Sequence, residues 1–345
     1  MIPQREYFDK DIANSDNTNG YYIIEENDFV YNPRKSADAP YGPISSYKYT
    51  EAGIVSPLYL CFRAKKEINP AFFEWYFRSS AWHRYVYMSG DSGARHDRVS
   101  IKDDTFFAMP INIPSAHEQA KIAIFFERIE QRIEMQRALV ESLKKYKRGV
   151  VSAILSHQLT FSDAAGDPYP EWTTCSLQDA VDFLDGQRKP LESADRAKRQ
   201  GQYPYYGASG IIDYIDDFIF DEPLLLLGED GANILNRSTP LCFIAEGKYW
   251  VNNHAHVMRP KAGQNIKFLC ELLESLDYTR YNTGTAQPKL NQEKCRRIEI
   301  ALPVYEEQCH IADFLSALDQ RAAKAQSILD YLRSNRDGLL QQLFI

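Results

Sequence analysis

The chain has 345 residues, 44% hydrophobic and 25% charged, a composition typical of a globular protein large enough for two domains. The first residues are polar and lack the apolar stretch of a signal peptide, and the longest apolar runs, such as Leu224–Leu227, are too short to cross a bilayer. We therefore predict a cytoplasmic protein without membrane partners. The formal net charge of −7 disfavours a protein that holds nucleic acid by bulk positive charge, but it allows recognition by a few positioned side chains.

Residues 1–113 form the first predicted domain. Aromatic and β-branched residues predict strands after Gly20, in Gly53–Arg63 and in Ser100–Ile113. A helix is expected to begin at Pro70, since proline is favoured in the first turn of a helix. The segment therefore has the mixed pattern of an α/β domain.

A long helix is predicted for residues 114–156. Apolar residues recur there at alternating spacings of four and three, which is the pattern of a coiled-coil seam. With a rise of about 1.5 Å per residue, such a helix would be about 60 Å long. The positions of this frame are Ile122, Phe126, Ile129, Ile133, Gln136, Val140, Leu143, Lys147, Val150 and Ile154.

The polar, turn-rich linker and second domain expected in residues 157–301 repeat part of the first domain. Tyr249–Arg259 matches Gly53–Arg63 at an offset of 196 residues, and Phe268 then matches Phe72. Repetition over this length predicts a duplicated architecture.

The helix pattern returns in residues 302–345, at a constant offset of 189 residues that aligns Pro114 with Pro303 and Gln119 with Gln308. We predict an α/β fold of two similar domains separated by two long antiparallel helices, in the order domain, helix, domain, helix. In that pairing the small Ala322 and Ala325 would face larger side chains of the first helix. The residues expected to make the pairing are Ile122, Ile129, Ile133, Leu143, Ile311, Leu318, Leu332 and Leu339.

The first domain is expected to lack an N-terminal segment that the second domain has. At the offset of 196 residues, Met1 corresponds to Ala197, so the equivalent of Glu171–Arg199 is not found in the first domain. That segment contains an apolar-patterned stretch that should cover part of a domain core. We therefore expect the first domain to be N-terminally incomplete and less stable than the second.

Catalytic signatures are scarce. The sequence contains no phosphate-binding G-x-x-x-x-G-K-[ST], no H-E-x-x-H and no G-x-S-x-G. Asp221, Asp230, Glu246 and Lys248 could imitate the acidic residues and E-x-K of a metal-dependent nuclease. The alternative, which we favour, is that Glu246-Gly-Lys is a hairpin turn between two strands.

A metal site is also disfavoured. His254 and His256 would lie on one face of a predicted strand, but no third ligand is evident, so a polar strand face is the better interpretation. The six cysteines form no C-x-x-C pair and are expected to be free, buried thiols.

Taken together, these features resemble the specificity (S) subunits of type I restriction–modification systems, in which two target-recognition domains alternate with two helical regions. The helix start Pro-x-x-x-Glu-Gln-x-x-Ile-Ala, present at Pro114 and again at Pro303, is similar to theirs, as is Gly166–Trp172 ahead of the second domain. Asp9–Arg34 is similar to one common type of recognition domain. Gly207–Ile211 and Gly228–Asn233 are similar to another.

The resemblance implies a non-catalytic subunit that reads a bipartite target in double-stranded DNA, with one domain on each half and the helices as spacer. It implies two methyltransferase (M) subunits and restriction (R) subunits as partners. S-adenosylmethionine, ATP and Mg²⁺ would bind to those partners and none of them to this chain. A scaffold that only recruits other proteins is the alternative from another functional class.

Candidate DNA contacts are polar residues in predicted loops and strand ends. Asn and Gln can bond adenine through two hydrogen bonds, and Arg or Lys can bond guanine. Asn252 and His254 are expected on one face of a strand. A solvated loop residue is the alternative for each. The set is Arg34, Lys35, Arg95, Arg98, Asn233, Arg237, Asn252, His254, Gln287 and Lys289.

Overall fold

A computed structural model describes residues 1, 18–90, 97–284 and 287–344 of the chain. They divide into two compact units, one comprising Met1–Val140 with Ala325–Ile345 and the other Glu141–Lys324. Each unit contains one globular domain and part of two long helices, α4 (Ala116–Leu155) and α10 (Tyr305–Phe344). None of the described helices combines the length and apolar character needed to cross a lipid bilayer.

The first unit contains a small α/β domain. Its strands are β1 (Tyr22–Ile24), β2 (Phe29–Tyr31), β3 (Ile44–Ser46), β4 (Gly53–Val55) and β5 (Leu60–Phe62), and its short helices are α1 (Pro70–Arg78), α2 (His83–Ser89) and α3 (Asp103–Phe107). Strand β2 lies between β3 and β5 in an antiparallel sheet, while β1 pairs with β4. The core is largely aromatic: the Phe29 ring lies 5.4 Å from Phe73, and Tyr31 stacks on Phe106 at 5.1 Å.

Two expected strands of the first domain differ in the structure. Gly53–Arg63 is divided into β4 and β5 by a turn in which the Tyr59 N–H donates to the Ser56 carbonyl. Pro57 lies in this turn and has no N–H to offer a sheet. Ser100–Ile113 contains helix α3 where a strand was expected, because two acidic residues in its first turn favour the N-terminus of a helix.

The second unit contains a larger α/β domain. Its strands are β6 (Thr173–Ser176), β7 (Val181–Phe183), β8 (Gln200–Gly207), β9 (Gly210–Ile215), β10 (Phe220–Asp221), β11 (Leu224–Gly228), β12 (Cys242–Ala245), β13 (Lys248–Val251), β14 (Ala255–Pro260) and β15 (Glu299–Leu302). Its shorter helices are α5 (Leu177–Ala180), α6 (Ser193–Lys198), α7 (Asn233–Asn236), α8 (Ile266–Ser275) and α9 (Gln292–Arg296), with 3₁₀ turns at Asp185–Gln187 and Thr279–Tyr281.

The central sheet of this domain has the order β12-β11-β14-β7 and is antiparallel throughout. Its middle strand β11 is completely buried, as its run of four leucines predicts. A second sheet has the order β10-β13-β8-β9, and β6 pairs with β15. All six cysteines of the chain are free, but only Cys242 and Cys295 are fully buried.

The strand order of the first domain recurs in the second. Strand β11 lies between β12 and β14 as β2 lies between β3 and β5, and β10 pairs with β13 as β1 pairs with β4. The second domain adds β7 at the edge of β14 and β6 beside β15. Among the described residues of the first unit, no strand occupies either of these places.

Two expectations for the second domain are corrected. The strand expected over Tyr249–Val257 is divided into β13 and β14 by a turn at Asn252–His254, so Asn252 and His254 do not share a strand face, and neither do His254 and His256. Gly247, with φ of +72°, lies in the turn between β12 and β13. These two strands belong to different sheets, so this turn is not the hairpin that was expected.

In the first unit, the two long helices run antiparallel. Phe126 of α4 packs on Leu340 of α10, with Ile122, Ile129 and Leu339 partly buried around them. Further along, the Glu130 carboxylate lies 3.0 Å from the Arg336 guanidinium, and the Gln136 amide donates to the Ala325 carbonyl at 2.8 Å. Ile133 is 2% exposed, and Leu332 is half-buried. The frame departs from expectation at Leu343, which is exposed, while Leu340 is buried instead.

In the second unit the remaining halves of these helices also run antiparallel. Val150 and Ile154 share a core with Ile311, Leu315 and Leu318. Lys147 occupies a frame position and forms ion pairs with Asp319 of α10 at 2.8 Å and with Glu271 of α8 at 2.6 Å. The positive charge of Lys147 is thus neutralised by two carboxylates. Leu143, the preceding position of the frame, is half-buried.

Candidate nucleic-acid interface

Three loops of the second domain meet at one end of strand β11. Asp230, which follows this strand, forms an antiparallel bridge with Lys289. The Gly231 N–H donates to the Pro288 carbonyl at 3.0 Å, and the Leu290 N–H donates to the Glu229 carbonyl at 2.7 Å. We call this set of loops, Glu229–Gly231, Asn252–His254 and 287–290, the second-domain junction.

Polar side chains of this junction differ in exposure and role. His254 is exposed, and its Nδ1 lies 2.7 Å from the Asp230 carboxylate. Asn252 is buried, and its Oδ1 accepts the His254 N–H at 2.8 Å, so this residue shapes the turn. Lys289 and Gln287 are exposed, and the Lys289 amine lies 3.2 Å from Glu229. His254, Gln287 and Lys289 are therefore the residues of this set that can reach a ligand.

A buried ion-pair network supports the junction. Glu229 pairs with Arg188 at 2.7 Å, and Asp185 pairs with the His256 imidazole at 2.7 Å. The other imidazole nitrogen of His256 lies 2.9 Å from the Leu290 carbonyl. The network therefore ties the 3₁₀ turn at Asp185–Gln187 to the loops on both sides of the Asp230–Lys289 bridge.

The protonation of His256 decides what this network can bind. Burial alone would lower the pKa of His256, but its hydrogen bonds and charge interactions with Asp185 and Cys295 raise the pKa to about 10. The imidazole is thus a cation at neutral pH, and both of its nitrogens act as donors. Asp185, Glu229 and His256 lie close enough together for a metal ion. However, these three groups already pair with one another and with cations. Arg188 lies 2.7 Å from Glu229 and 3.5 Å from Asp185, and Lys289 lies 3.2 Å from Glu229, so the donor set is that of an ion-pair network.

The first domain contains the same arrangement of loops after β2. Arg34 forms an antiparallel bridge with Arg98. The Val99 N–H donates to the Pro33 carbonyl at 2.8 Å, and the Lys35 N–H donates to the Asp97 carbonyl at 2.9 Å. These bonds reproduce the Asp230–Lys289 bridge and its two neighbours in the second domain. We call the loops Pro33–Lys35 and Asp97–Val99 the first-domain junction.

The first-domain junction is cationic. Arg34 and Lys35 are exposed, and Arg98 is half-buried. None of the three forms an ion pair with an acidic group in the described ranges 18–90, 97–284 and 287–344. Three positive groups without acidic partners in the described part of the chain are a suitable surface for phosphate oxygens.

Other candidate residues lie elsewhere or outside the described chain. Arg237 adopts a left-handed backbone with φ of +51°, and its guanidinium pairs with Glu274 at 2.8 Å, so it holds the loop before β12 in place. Asn233 folds the same loop, because its Oδ1 accepts the Thr239 N–H at 2.9 Å. Neither joins the second-domain junction. Arg95 lies outside the described residues.

The geometry gives no support to the nuclease interpretation. Asp221 precedes β11 and Asp230 follows it, so five residues of extended strand separate the two carboxylates. Lys248 lies 4.0 Å from Asp221 and 4.6 Å from the Phe218 ring, and the Asp230 carboxylate is occupied by His254. Carboxylates at opposite ends of a strand cannot hold one ion.

Sequence reasoning missed Asp185, Arg188 and Glu229. One signal could have found them: His256 lies in an apolar strand between Ala255 and Val257, and a buried imidazole has to be paired. Which acids pair with it depends on contacts between segments far apart in the sequence.

Residues 169–330 match the family described as type I restriction modification DNA specificity domain. A putative type I restriction enzyme specificity subunit of Haemophilus influenzae is 34% identical over 149 residues, which are 43% of this chain and 37% of that protein. The chain therefore spans little more than a third of the length of this curated relative.

Two solved structures show the fold. One, from a type I restriction–modification system, has a TM-score of 0.60 at 16% identity and covers 92% of this chain and 81% of its own. Another, the S subunit of such a system from M. genitalium, has a TM-score of 0.55 at 16% identity and covers 97% and 87%. Residues 169–330 thus match the DNA specificity domain family, and the fold of the chain is similar to that of these two structures over most of its length.

Proposed function

We propose that this chain supplies DNA sequence specificity to a type I restriction–modification complex, with each domain reading one half of a bipartite target. The observation that carries the proposal is the repeated loop junction: Arg34 with Arg98 in the first domain and Asp230 with Lys289 in the second. Loops presented by a rigid sheet are where binding residues concentrate.

The two junctions offer different chemistry. The cations of the first-domain junction suit phosphate oxygens or the acceptor atoms of guanine. The second-domain junction combines the Lys289 amine with the His254 imidazole and the exposed Gln287 amide, which can both donate and accept. Different sets of donors and acceptors are what two unlike half-sites require.

We also propose that the chain arose by duplication of one domain–helix unit. In the first unit, Gln119 of α4 accepts the Asn69 N–H at 2.7 Å and donates to the Pro114 carbonyl at 2.9 Å. In the second, Gln308 of α10 accepts the Asn265 N–H at 2.9 Å and donates to the Pro303 carbonyl at 3.0 Å. The same pair of hydrogen bonds in both units supports a common origin.

Partners complete the proposed complex. Because the net charge is −7, much of the positive charge that holds DNA must come from other subunits. We propose two methyltransferase (M) subunits and restriction (R) subunits, acting with this chain in the cytoplasm. S-adenosylmethionine, ATP and Mg²⁺ would bind to those subunits and none of them to this chain.

The experiment is reconstitution of the chain with its cognate methyltransferase subunits and sequencing of the methylated adenines. We expect one bipartite motif that requires the chain, and no methylation by the chain alone. The same motif in the absence of the chain, or methylation without sequence preference in its presence, would identify the chain as a scaffold and refute the proposal.

A further inference from the structure

A fourth loop, residues 185–190, borders the second-domain junction. The Arg188 guanidinium lies 2.7 Å from Glu229, which follows β11, and donates to the carbonyl of Ala255, the first residue of β14, at 2.8 Å. The Arg188 side chain is therefore turned inward, with 14% of it exposed, whereas Lys189 beside it is exposed. The loop thus brings an exposed lysine to the edge of the junction.

The backbone of Lys189 is held by two hydrogen bonds. Its N–H donates to the Val251 carbonyl at 3.4 Å, and its carbonyl accepts the indole N–H of Trp250. Val251 ends β13 and directly precedes the turn at Asn252–His254. Because the backbone is already fixed next to this turn, only the side chain has to be ordered when Lys189 binds a ligand.

The charge of Lys189 is not neutralised within the described part of the chain. In the ranges 18–90, 97–284 and 287–344, no carboxylate forms an ion pair with it. Each of the other basic side chains at the junction lies within 3.2 Å of a carboxylate, so an incoming anion has to compete with an existing partner. These pairs are Arg188 with Glu229, Lys289 with Glu229, His254 with Asp230 and His256 with Asp185.

Comparison of the two junctions shows why this lysine matters. At the offset of 196 residues, the exposed Arg34 and Lys35 of the first-domain junction correspond to Asp230 and Gly231. The second domain thus has an acid and a glycine where the first has two cations. Since cations that contact phosphates supply much of the affinity for DNA, Lys189 provides from another loop what these two positions lack.

We propose that Lys189 binds a DNA phosphate beside the half-site that the second domain reads. This inference rests on the proposed function and adds a contact to it. The phosphate contact sets the position of the duplex, and the exposed His254, Gln287 and Lys289 of the junction face the base edges. Because every base pair carries the same phosphates, the Lys189 contact contributes affinity without sequence preference.

The test uses the chain assembled with its methyltransferase subunits and a fluorescent duplex that contains the methylated motif. Fluorescence anisotropy measures binding between about 50 and 200 mM salt. We expect Lys189→Ala to weaken binding about three- to tenfold at the lowest salt, and to reduce the slope of log affinity against log salt by about one. The variant keeps both backbone hydrogen bonds of residue 189, so its urea unfolding should match wild type.

Two further variants serve as controls. Lys189→Arg keeps the positive charge and should bind within about twofold of wild type. Lys267→Ala removes an exposed lysine of α8 outside the junction and should leave both affinity and salt slope unchanged. A Lys189→Ala complex with the affinity and salt slope of wild type would overturn the inference.

Duplexes with one altered base pair separate this inference from the proposed function. We expect Lys189→Ala to weaken binding to all of them by the same factor. Relaxed preference at the base pairs of one half-site would make Lys189 a base contact and refute the phosphate assignment. If the wild-type complex shows no sequence preference, the proposed function fails and this inference fails with it.

Uncharged methylphosphonate linkages, introduced one at a time into the duplex, locate the contact. We expect one position at which the lost charge weakens the wild-type complex about three- to tenfold and leaves the Lys189→Ala complex unchanged. If every linkage affects both complexes equally, Lys189 does not contact a phosphate and the proposal is wrong.

Discussion

At the scale of single residues, the charged pair Asp185–His256 is the main support of the second-domain junction. Both side chains are almost fully buried, at 6% and 1% exposure, and their partners lie on separate loops. Removal of one member of a buried pair leaves an uncompensated charge, which costs more than the pair itself contributes. The stability of this junction should therefore depend on pH and on either residue.

Asp185→Asn should lower the free energy of unfolding of the second domain by about 3 kcal/mol, since it leaves the His256 cation without its carboxylate. The pKa of His256 is about 10 in the folded chain, whereas a histidine in an unfolded chain titrates near ~6.5. The wild-type contribution is thus complete below this lower pKa and is lost as pH rises towards about 10. Urea unfolding between these pH values measures both effects.

The matched control is Glu293→Gln, which breaks the pair of Glu293 with Arg297 in the same domain. Both side chains are more than 70% exposed, so this loss should stay below about 1 kcal/mol. If Asp185→Asn unfolds at the wild-type urea concentration across the whole pH range, the pair does not stabilise the junction.

Residue types could be predicted from the sequence, but their positions could not. Lys289 and Gln287 were expected in polar loops and do lie at one junction, together with His254, which was expected on a strand face. Arg237 was also predicted as a DNA contact in a polar loop. Its guanidinium instead pairs with Glu274 of helix α8, and the sequence does not show that these two residues are neighbours. The prediction that Asn252 lies on a strand face was wrong, because Asn252 lies in the turn before His254 and its side chain is buried.

At the scale of elements, the repeated Glu-Gln of the helix starts has a physical explanation. The glutamine is almost fully buried in both units: Gln119 is 2% exposed and Gln308 is 1% exposed. In each unit its amide links the start of a long helix to the asparagine that caps α1 or α8. A repeated residue pair was visible in the sequence, but its partners, Asn69 and Asn265, were not.

Gln308→Ala should lower the free energy of unfolding by about 2 kcal/mol, because the Asn265 N–H and the Pro303 carbonyl lose their partner in a buried site. Gln119→Ala should cost a similar amount in the first unit. Gln320→Ala, on the exposed surface of α10, is the control and should have almost no effect. Chemical denaturation of the three variants gives the comparison, and equal stability of all three would contradict a bracing role for the amide.

Long-range periodicity was more informative than short strands. The 4-3 frame in both helices was visible because it extends over about ten turns, and its members Ile133 and Ile311 are buried. Three-residue strands such as β4 and β5 were merged into one, because a turn of two or three residues leaves the apolar pattern nearly unbroken.

The same frame predicts a sharp difference between two adjacent residues. Val140 is 1% exposed and Leu139 is 48% exposed. Val140→Asp should cost about 3 kcal/mol or more, since it buries an unpaired carboxylate, whereas Leu139→Asp should be within about 0.5 kcal/mol of wild type. Thermal unfolding followed by circular dichroism measures both, and similar melting of the two variants would show that the frame does not define the packed face.

At the scale of the whole molecule, the two junctions differ in residues while sharing their backbone bonds. Arg34 and Arg98 occupy the places that Asp230 and Lys289 hold in the second domain. A substitution in one junction is not expected to change recognition of the other half-site, because each side chain would contact DNA locally and the free energies of independent contacts add. The proposed bipartite target therefore predicts that a substitution in one junction changes recognition of only one half-site.

Lys289→Ala should relax sequence preference in one half of the target, and Arg98→Ala in the other half. Each should cost about 1–3 kcal/mol of discrimination, as expected for a side chain that contacts a base. The measurement is methylation by the assembled complex of a set of duplexes, each with one altered base pair. Lys267→Ala, an exposed lysine of α8 outside the junction, should leave both halves unchanged. If both junction variants relax the same half, one domain reads the whole target. Uniform weakening across all duplexes would instead assign the two side chains to the phosphate backbone.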